Sequence, residues 1–320
     1  MSGPRVLVTG ATGFVGEALI FRLLRDKVFT PVAAARGETR LRGLCPVVAF
    51  DLEGNRSLPG LERVEVVIHC AARVHVMNDV AADPLQEFRR INVEGSVRLA
   101  RHAASAGVRR FIFISSIKVN GEMTRPGQSF CADDRPAPVD PYGVSKWEAE
   151  EQLMQVGKET GMEVVIIRPP LIYGPGVKAN FFNMMRWLER RVPLPLGAIN
   201  NQRSLVAIGN LVDLIAVCIR HPAAAGQVFL VSDGEDLSTS QLLRRMAVAL
   251  SVKSYLLPVP SWLLSSAASL LGQRALAQRL CGSLRVDIGK TRSVLGWSPV
   301  ITVEQALRQT AGHHDSGLQR

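Results

Sequence analysis

Apolar positions along the chain alternate between two periods. Arg5–Thr9 is a short apolar run ending at a glycine, and Ala18–Leu24 follows with helical spacing. Val28–Ala35 and Glu65–Cys70 are apolar runs without helical periodicity. Leu85–Ala106 reads as one long amphipathic helix, and Arg110–Ser115 is apolar and β-rich. Trp147–Thr160 is again helical, and Glu163–Arg168 is apolar and β-branched. Short buried strands alternating with helices predict a parallel sheet covered on both faces. Right-handed crossovers then leave a doubly wound α/β fold.

The regularity weakens after Arg168, where Pro169, Pro170, Gly174, Pro175, Pro193 and Pro195 punctuate the chain. Gly226–Ser232 reads as one further strand. The expected layout is a Rossmann dinucleotide-binding domain over residues 1–172 and a smaller substrate-binding lobe over 173–312. Within that lobe, 203–232 returns to the first domain. Residues 313–320 form a polar, aperiodic tail expected to be flexible.

Composition narrows the partners. Of 320 residues, 47% are hydrophobic and 21% charged, as in a packed globular protein. The net charge of +10 raises nucleic acid, but Lys and Arg are scattered rather than gathered in a stripe. Small anions such as nucleotide diphosphates are the better match, and no nucleic-acid partner is expected. Cys45, Cys70, Cys131, Cys218 and Cys281 are odd in number, far apart and form no CxxC pair. That argues against a disulfide framework and against a metal site, and fits a reducing cytoplasm. The chain runs at once into a strand, so no leader is expected. Ser261–Leu271 is the most apolar late stretch. It is shorter than the roughly 20 residues of a membrane span, and is expected to be a buried helix or a wall of the lobe.

Candidate chemistry begins at Gly10, Gly13 and Gly16, which lie between the first strand and the first helix. The spacing is GxxGxxG. Gly10 permits a tight turn, Gly13 lets backbone approach a pyrophosphate, and Gly16 lets helix and strand pack closely. The helix N-terminus then offers free N–H groups and partial positive charge. The second strand ends at Arg36, with Arg40 and Arg42 nearby, where an NAD site usually carries an acid. A cation there favours NADP(H), with NAD(H) as the alternative. Asp51-Leu52 follows the third strand; Asp51 suits either an adenine amino group or a helix cap.

Tyr142 and Lys146 are spaced i, i+4 at the start of a helix and share one face. A free phenol has a pKa of about 10, too high for neutral acid–base work. An ammonium at about 4 Å favours the phenolate and would bring it toward the working pH. Ser115 and Ser116 end a strand at the side where open α/β sheets bind ligands. Ser116 suits a reacting oxygen and Ser115 suits a turn cap.

Together these residues resemble the extended short-chain dehydrogenase/reductases, in their nucleotide-sugar epimerase/dehydratase branch. The resemblance rests on Thr9–Gly16, His69–Ala72, Asn92-Val93, Ser115-Ser116, Tyr142–Lys146, Arg168–Pro175 and Leu295–Pro299. It implies Tyr142 as acid/base, Lys146 on the nicotinamide ribose and Ser116 on the sugar oxygen. It further implies cofactor contacts from Gly10, Thr12, Gly13, Phe14 and Val15, and from Arg36, Asp51 and Leu52. Ala71, Ala72, Asn92, Ser115, Tyr142, Lys146 and Pro169 complete that set.

Family dehydratases follow the catalytic Thr with Asp-Glu; here Ser116 is followed by Ile117-Lys118, which disfavours dehydration. Val119-Asn120-Gly121 and Leu171 also depart from the familiar epimerases. The resemblance implies a UDP-linked sugar as substrate. Arg203 matches an arginine on the nucleotide diphosphate, Asn180 lies at a helix start near the nucleotide, and Lys118, Lys178 and Arg279 are looser contacts. The nearest look is to the subgroup that reduces UDP-4-keto-6-deoxy-N-acetylhexosamine to UDP-N-acetylquinovosamine or its C4 epimer in bacterial O-antigen assembly. The leading expectation is therefore an NADPH-dependent 4-ketoreductase. The alternatives are a UDP-hexose 4-epimerase with tightly bound NAD, and a non-catalytic NADP-binding scaffold. The helices at 85–106 and 142–160 correspond to a dimer contact in relatives, so a homodimer is expected.

Overall fold

The computed structural model describes residues 3–53, 58–74, 83–270, 272, 278 and 280–318, excepting the side chains of 179, 180 and 315–318. Seven parallel strands form the central sheet: β1 (Arg5–Thr9), β2 (Thr30–Ala35), β3 (Val47–Ala49), β4 (Val64–His69), β5 (Arg110–Ile114), β6 (Glu163–Arg168) and β9 (Val228–Leu230). Their order is β3-β2-β1-β4-β5-β6-β9. The order reverses beside β1, and the crevice beyond the carboxyl ends of β1 and β4 is where such sheets bind ligands.

The strands are mostly apolar because both faces of the sheet are buried. Val8, Ile68, Ile112 and Val165 face one core with Leu19, Leu23, Leu211 and Ile215, from α1 (Phe14–Asp26) and α6 (Ile208–Arg220). Leu7, Val67, Phe111 and Val164 face the other. There they meet Leu99 and Ala103 of α3 (Ser96–Ser105) and Leu153 and Val156 of α4 (Pro141–Thr160). Each such buried side chain contributes about 1.5–3 kcal/mol. Asp140 caps α4 by accepting from the Gly143 N–H at 2.6 Å, Pro141 starts it, and Gly161 ends it at φ 76°.

The stretch expected as one helix over Leu85–Ala106 is broken. It consists of α2 (Pro84–Phe88), a π-helical turn at Arg89–Gly95, and α3. Within that wide turn the Ser96 hydroxyl donates back to the Asn92 carbonyl at 2.6 Å. Such turns concentrate at functional sites, and this one carries Asn92.

A second sheet of three strands, ordered β10-β8-β7, joins β7 (Leu171–Tyr173), β8 (Arg203–Ala207) and β10 (Asp236–Leu237). Thus 203–207 enters the small sheet, whereas α6 packs on α1 and β9 extends the large one. Around a third core sit α5 (Ala179–Glu189), α7 (Thr239–Ala249) and α10 (Val303–Leu318), through Phe181, Met185, Leu243 and Leu307. α9 (Gly289–Leu295) lies against β9.

Two further expectations are corrected. α10 runs on through 318, and His314 is buried, its Nε2 2.9 Å from Glu189, so the described part of the stretch read as aperiodic from 313 is helical. α8 (Ser261–Leu270) has no buried residue, which removes the buried-helix reading and leaves the alternative, a wall of the lobe, untouched. No described helix is long and apolar enough to cross a membrane.

Candidate functional site

The glycine loop turns at Gly10, whose φ of 64° suits glycine. A Cβ there would lie 2.7 Å from the Ala71 nitrogen, and one on Gly16 would lie 2.2 Å from the Gly10 carbonyl oxygen. β1, α1 and the end of β4 therefore meet at backbone distance. Gly13 precedes α1 and no side chain caps the helix, so its first-turn amides remain available to an outside anion. Thr12 and Gly13 are exposed, and Phe14 and Val15 half-buried, at that mouth. These features fit a dinucleotide pyrophosphate.

A buried polar chain, which motif reading left without a role, fixes the loop against β4. The Ala71 N–H donates to Thr9 Oγ1 at 3.3 Å. Thr9 Oγ1 lies 2.6 Å from His69 Nδ1, and His69 Nε2 lies 2.9 Å from Ser96 Oγ. Because the Ser96 hydroxyl donates to the Asn92 carbonyl, the ring must donate from Nε2 and accept at Nδ1. Burial pushes the His69 pKa down to about 3, with the Lys146 charge adding to it. Phe111 and Phe113 flank the ring, each 5.7 Å away between centroids. The sequence signal was polar residues at positions that the strand and helix patterns bury.

Asn92 turns its side chain into the protein. Its Oδ1 accepts the Arg73 N–H at 2.8 Å, and its Nδ2 donates to the Arg73 carbonyl at 3.1 Å and to Ser145 Oγ at 3.0 Å. Ser145 Oγ donates to the Tyr142 carbonyl at 2.8 Å. Asn92 thus ties the segment after Ala71-Ala72 to the first turn of α4.

Tyr142 is half-buried, edge-on to Phe88 at 6.0 Å between centroids. Lys146 is buried; its Nζ donates to the Ile114 carbonyl at 2.9 Å and lies 4.3 Å from the Phe113 ring centre. It stands 6.0 Å from the centre of the Tyr142 ring. Burial, followed by the Asp140 charge, pushes the phenol pKa above its ordinary value. The expected depression of Tyr142 by Lys146 is therefore corrected: the protein alone keeps the phenol protonated. Burial lowers Lys146 to about 8, against the raising effect of Glu150.

Of the two serines, Ser116 rather than Ser115 caps the turn. Ser116 precedes the turn Ile117–Val119, and its Oγ accepts the Lys118 N–H at 3.3 Å. Ser115 is buried and donates to Glu150 Oε1 at 2.5 Å. Glu150 pairs with Arg168, whose Nη1 donates to Asn120 Oδ1 at 3.0 Å. Glu150, Arg168 and Asn120 are structural partners that the motifs did not reveal. A Cβ on Gly143 would lie 2.9 Å from the Lys118 carbonyl oxygen, so the Ser116 turn rests against the start of α4 beside Tyr142. Lys118 is held by Asp140 and by Glu122 at 3.0 Å.

Arg36 is exposed just beyond β2. Arg40 is instead paired with Glu17 at 2.5 Å. Asp51 Oδ1 accepts the Glu53 N–H at 3.1 Å, a turn cap, and Leu52 is buried against Gly95. The Pro169 carbonyl accepts the Ile117 N–H at 3.0 Å. Arg203 sits on β8 and Nη1 donates to the Gly282 carbonyl at 3.2 Å; burial lowers its pKa. Asn180 falls in the first turn of α5, after Lys178, and Arg279 lies outside the described residues. Among the described residues, no three His, Cys, Asp or Glu side chains are grouped to hold a metal ion.

Residues 6–232 match the family described as NAD dependent epimerase/dehydratase. A Vibrio cholerae protein named UDP-glucose 4-epimerase is 49% identical over 309 residues, covering 96% of this chain and 94% of its own. The crystal structure of UDP-glucuronic acid 4-epimerase from Bacillus cereus in complex with NAD superposes with a TM-score of 0.79 at 20% identity, over 98% of this chain and 99% of that one. UDP-glucose 4-epimerase from Thermotoga maritima, solved with UDP-glucose, gives 0.76 at 20% identity, over 98% and 99%. At that identity the structures establish a shared fold.

Proposed function

Since the chain belongs to the NAD-dependent epimerase/dehydratase family, we propose that it is a UDP-hexose 4-epimerase working with a resident NAD. Supporting this choice among family reactions is the full-length likeness to the Vibrio cholerae protein. The first-turn amides of α1, Gly13 and the Ala71-Ala72 backbone would hold the dinucleotide, and Lys146 its ribose. When bound, NAD would supply the acceptor for the hydride leaving C4 of the sugar and the donor that returns it to the opposite face. Tyr142 holds or releases the proton on the C4 oxygen, and Ser116 orients that oxygen. Arg203, with Asn180, serves the diphosphate. Ile117 is buried and Lys118 is held by two carboxylates, so no acid pair follows Ser116 to drive water loss.

The test is to incubate the purified protein with UDP-glucose without added cofactor. UDP-galactose should accumulate, and released NAD should be found after denaturation. One observation favours a second reading, the 4-ketoreductase: Arg36 is exposed just beyond β2, where NAD sites usually carry an acid. That reading replaces the first if no epimer forms while NADPH is consumed with a UDP-4-keto-6-deoxy sugar. Either activity sets aside the scaffold reading. We also propose a cytoplasmic homodimer through the surfaces of α3 and α4; light scattering that finds only monomer at micromolar concentration rejects it.

A further inference from the structure

We propose that the outer edge of the small lobe, α8 with the preceding Tyr255–Leu257 segment, docks on a bilayer surface carrying anionic lipids. α8 has the sequence Ser261-Trp-Leu-Leu-Ser-Ser-Ala-Ala-Ser-Leu270, with no charged residue. Trp262 is 68% and Leu270 89% exposed. Leu264, half-buried, packs against the third core and anchors the helix. A ten-residue helix is marginal alone in water, and a cluster of exposed apolar side chains marks a contact surface.

Exposed apolar side chains also precede α8 in the chain. Tyr255 and Leu257 are exposed, and their backbone is fastened to the chain after α5: the Leu194 N–H donates to the Tyr255 carbonyl at 2.9 Å and the Leu257 N–H to the Leu194 carbonyl at 2.8 Å. Just before Leu194 come the exposed Arg190, Arg191 and Val192.

Charge identifies the occupant. Between Asp236 and Asp287 the sequence has no carboxylate side chain, and the cations among its described residues are Arg244, Arg245, Lys253 and Arg285. Arg245 and Arg285 are paired with acids outside that stretch, whereas Lys253 is exposed beside Tyr255. A second copy of this face would bring like charges together. Anionic headgroups complement them, while Trp and Tyr suit the boundary between water and acyl chains. A short helix with such a face lies in the plane of the membrane rather than across it. The proposal does not depend on which sugar the crevice takes.

Flotation of the full chain with vesicles tests it, using phosphatidylglycerol mixed with phosphatidylcholine against phosphatidylcholine alone. The protein should float with the anionic vesicles and be partly released by added salt. Trp262→Glu with Leu270→Glu should cut binding at least about tenfold, given the transfer free energy of each side chain. Lys253→Ser should cut it roughly fivefold. Turnover of soluble substrate should be unchanged in both, which shows that they are folded. Undiminished flotation of the double variant overturns the proposal, as does absence of flotation. So does concentration-dependent self-association, abolished by the double variant, in place of lipid binding: a second copy then covers the face.

Discussion

Lys146 Nζ donates to the carbonyl oxygen of Ile114 at 2.9 Å and thereby fixes an ammonium at the end of β5, beneath the first turn of α4. Its pKa is lowered by burial to about 8, from 10.5. A depressed folded pKa means that the unfolded chain binds the proton more readily, so stability contributed here is present above pH 10.5 and lost as pH falls through 8. Unfolding midpoints of the wild type should rise between these two values relative to Lys146→Met, which lacks the titrating group. Chemical denaturation across that range checks the difference. The same variant should lose about 10²-fold or more in turnover if the ammonium supports proton transfer.

Tyr142→Phe removes one oxygen from a ring that stays packed on Phe88. Turnover should fall by about 10²–10⁴-fold, the usual worth of a positioned acid–base group. Dinucleotide binding, followed by tryptophan fluorescence, should remain within about twofold, since the glycine loop is untouched. Near-normal turnover would remove Tyr142 from the reaction.

His69 makes the protein sensitive to acid. Its folded pKa of about 3 lies below the ordinary 6.5, so its contribution is present above pH 6.5 and lost as pH falls toward 3. Protonation would put a hydrogen on Nδ1, which now accepts from Thr9, and a charge between Phe111 and Phe113. Wild-type stability should fall over that window by an amount on the order of a few kcal/mol. His69→Gln should be less stable at neutral pH but show a shallower acid limb. Thermal melts from pH 7 to pH 4 separate the two.

The sheet and its ligand crevice were legible because strands buried on both faces leave continuous apolar runs, and because Gly10 and Gly16 sit where backbone must touch backbone. The Tyr142–Lys146 spacing likewise survives as one helical face. What did not read was polar. Whether Ser115 or Ser116 caps the turn depends on Glu150, which lies 35 residues away. The wide turn before Ser96 carries Asn92, whose partner Arg73 lies 19 residues away. The apolar composition of Ser261–Leu271 is the same for a core helix and a surface one, and only the packing around it tells them apart.

Glu150 and Arg168 form a buried pair, bonded at 2.6 Å through Oε2 and Nη2, to which Ser115 donates from one side while Arg168 extends to Asn120 on the other. Removing one member strands the other's charge away from water. Glu150→Gln and Arg168→Met should each destabilise by about 3–5 kcal/mol, whereas Ser115→Ala, losing one charge-assisted bond, should cost about 1.5–3 kcal/mol. Replacing both charges with apolar groups of similar size, as Glu150→Leu with Arg168→Met, should recover much of that loss, because neither then leaves a buried charge. Urea unfolding of Glu150→Leu, Arg168→Met and the double variant gives the coupling directly. Additive losses would show that the pair is not the unit that holds α4 against β6.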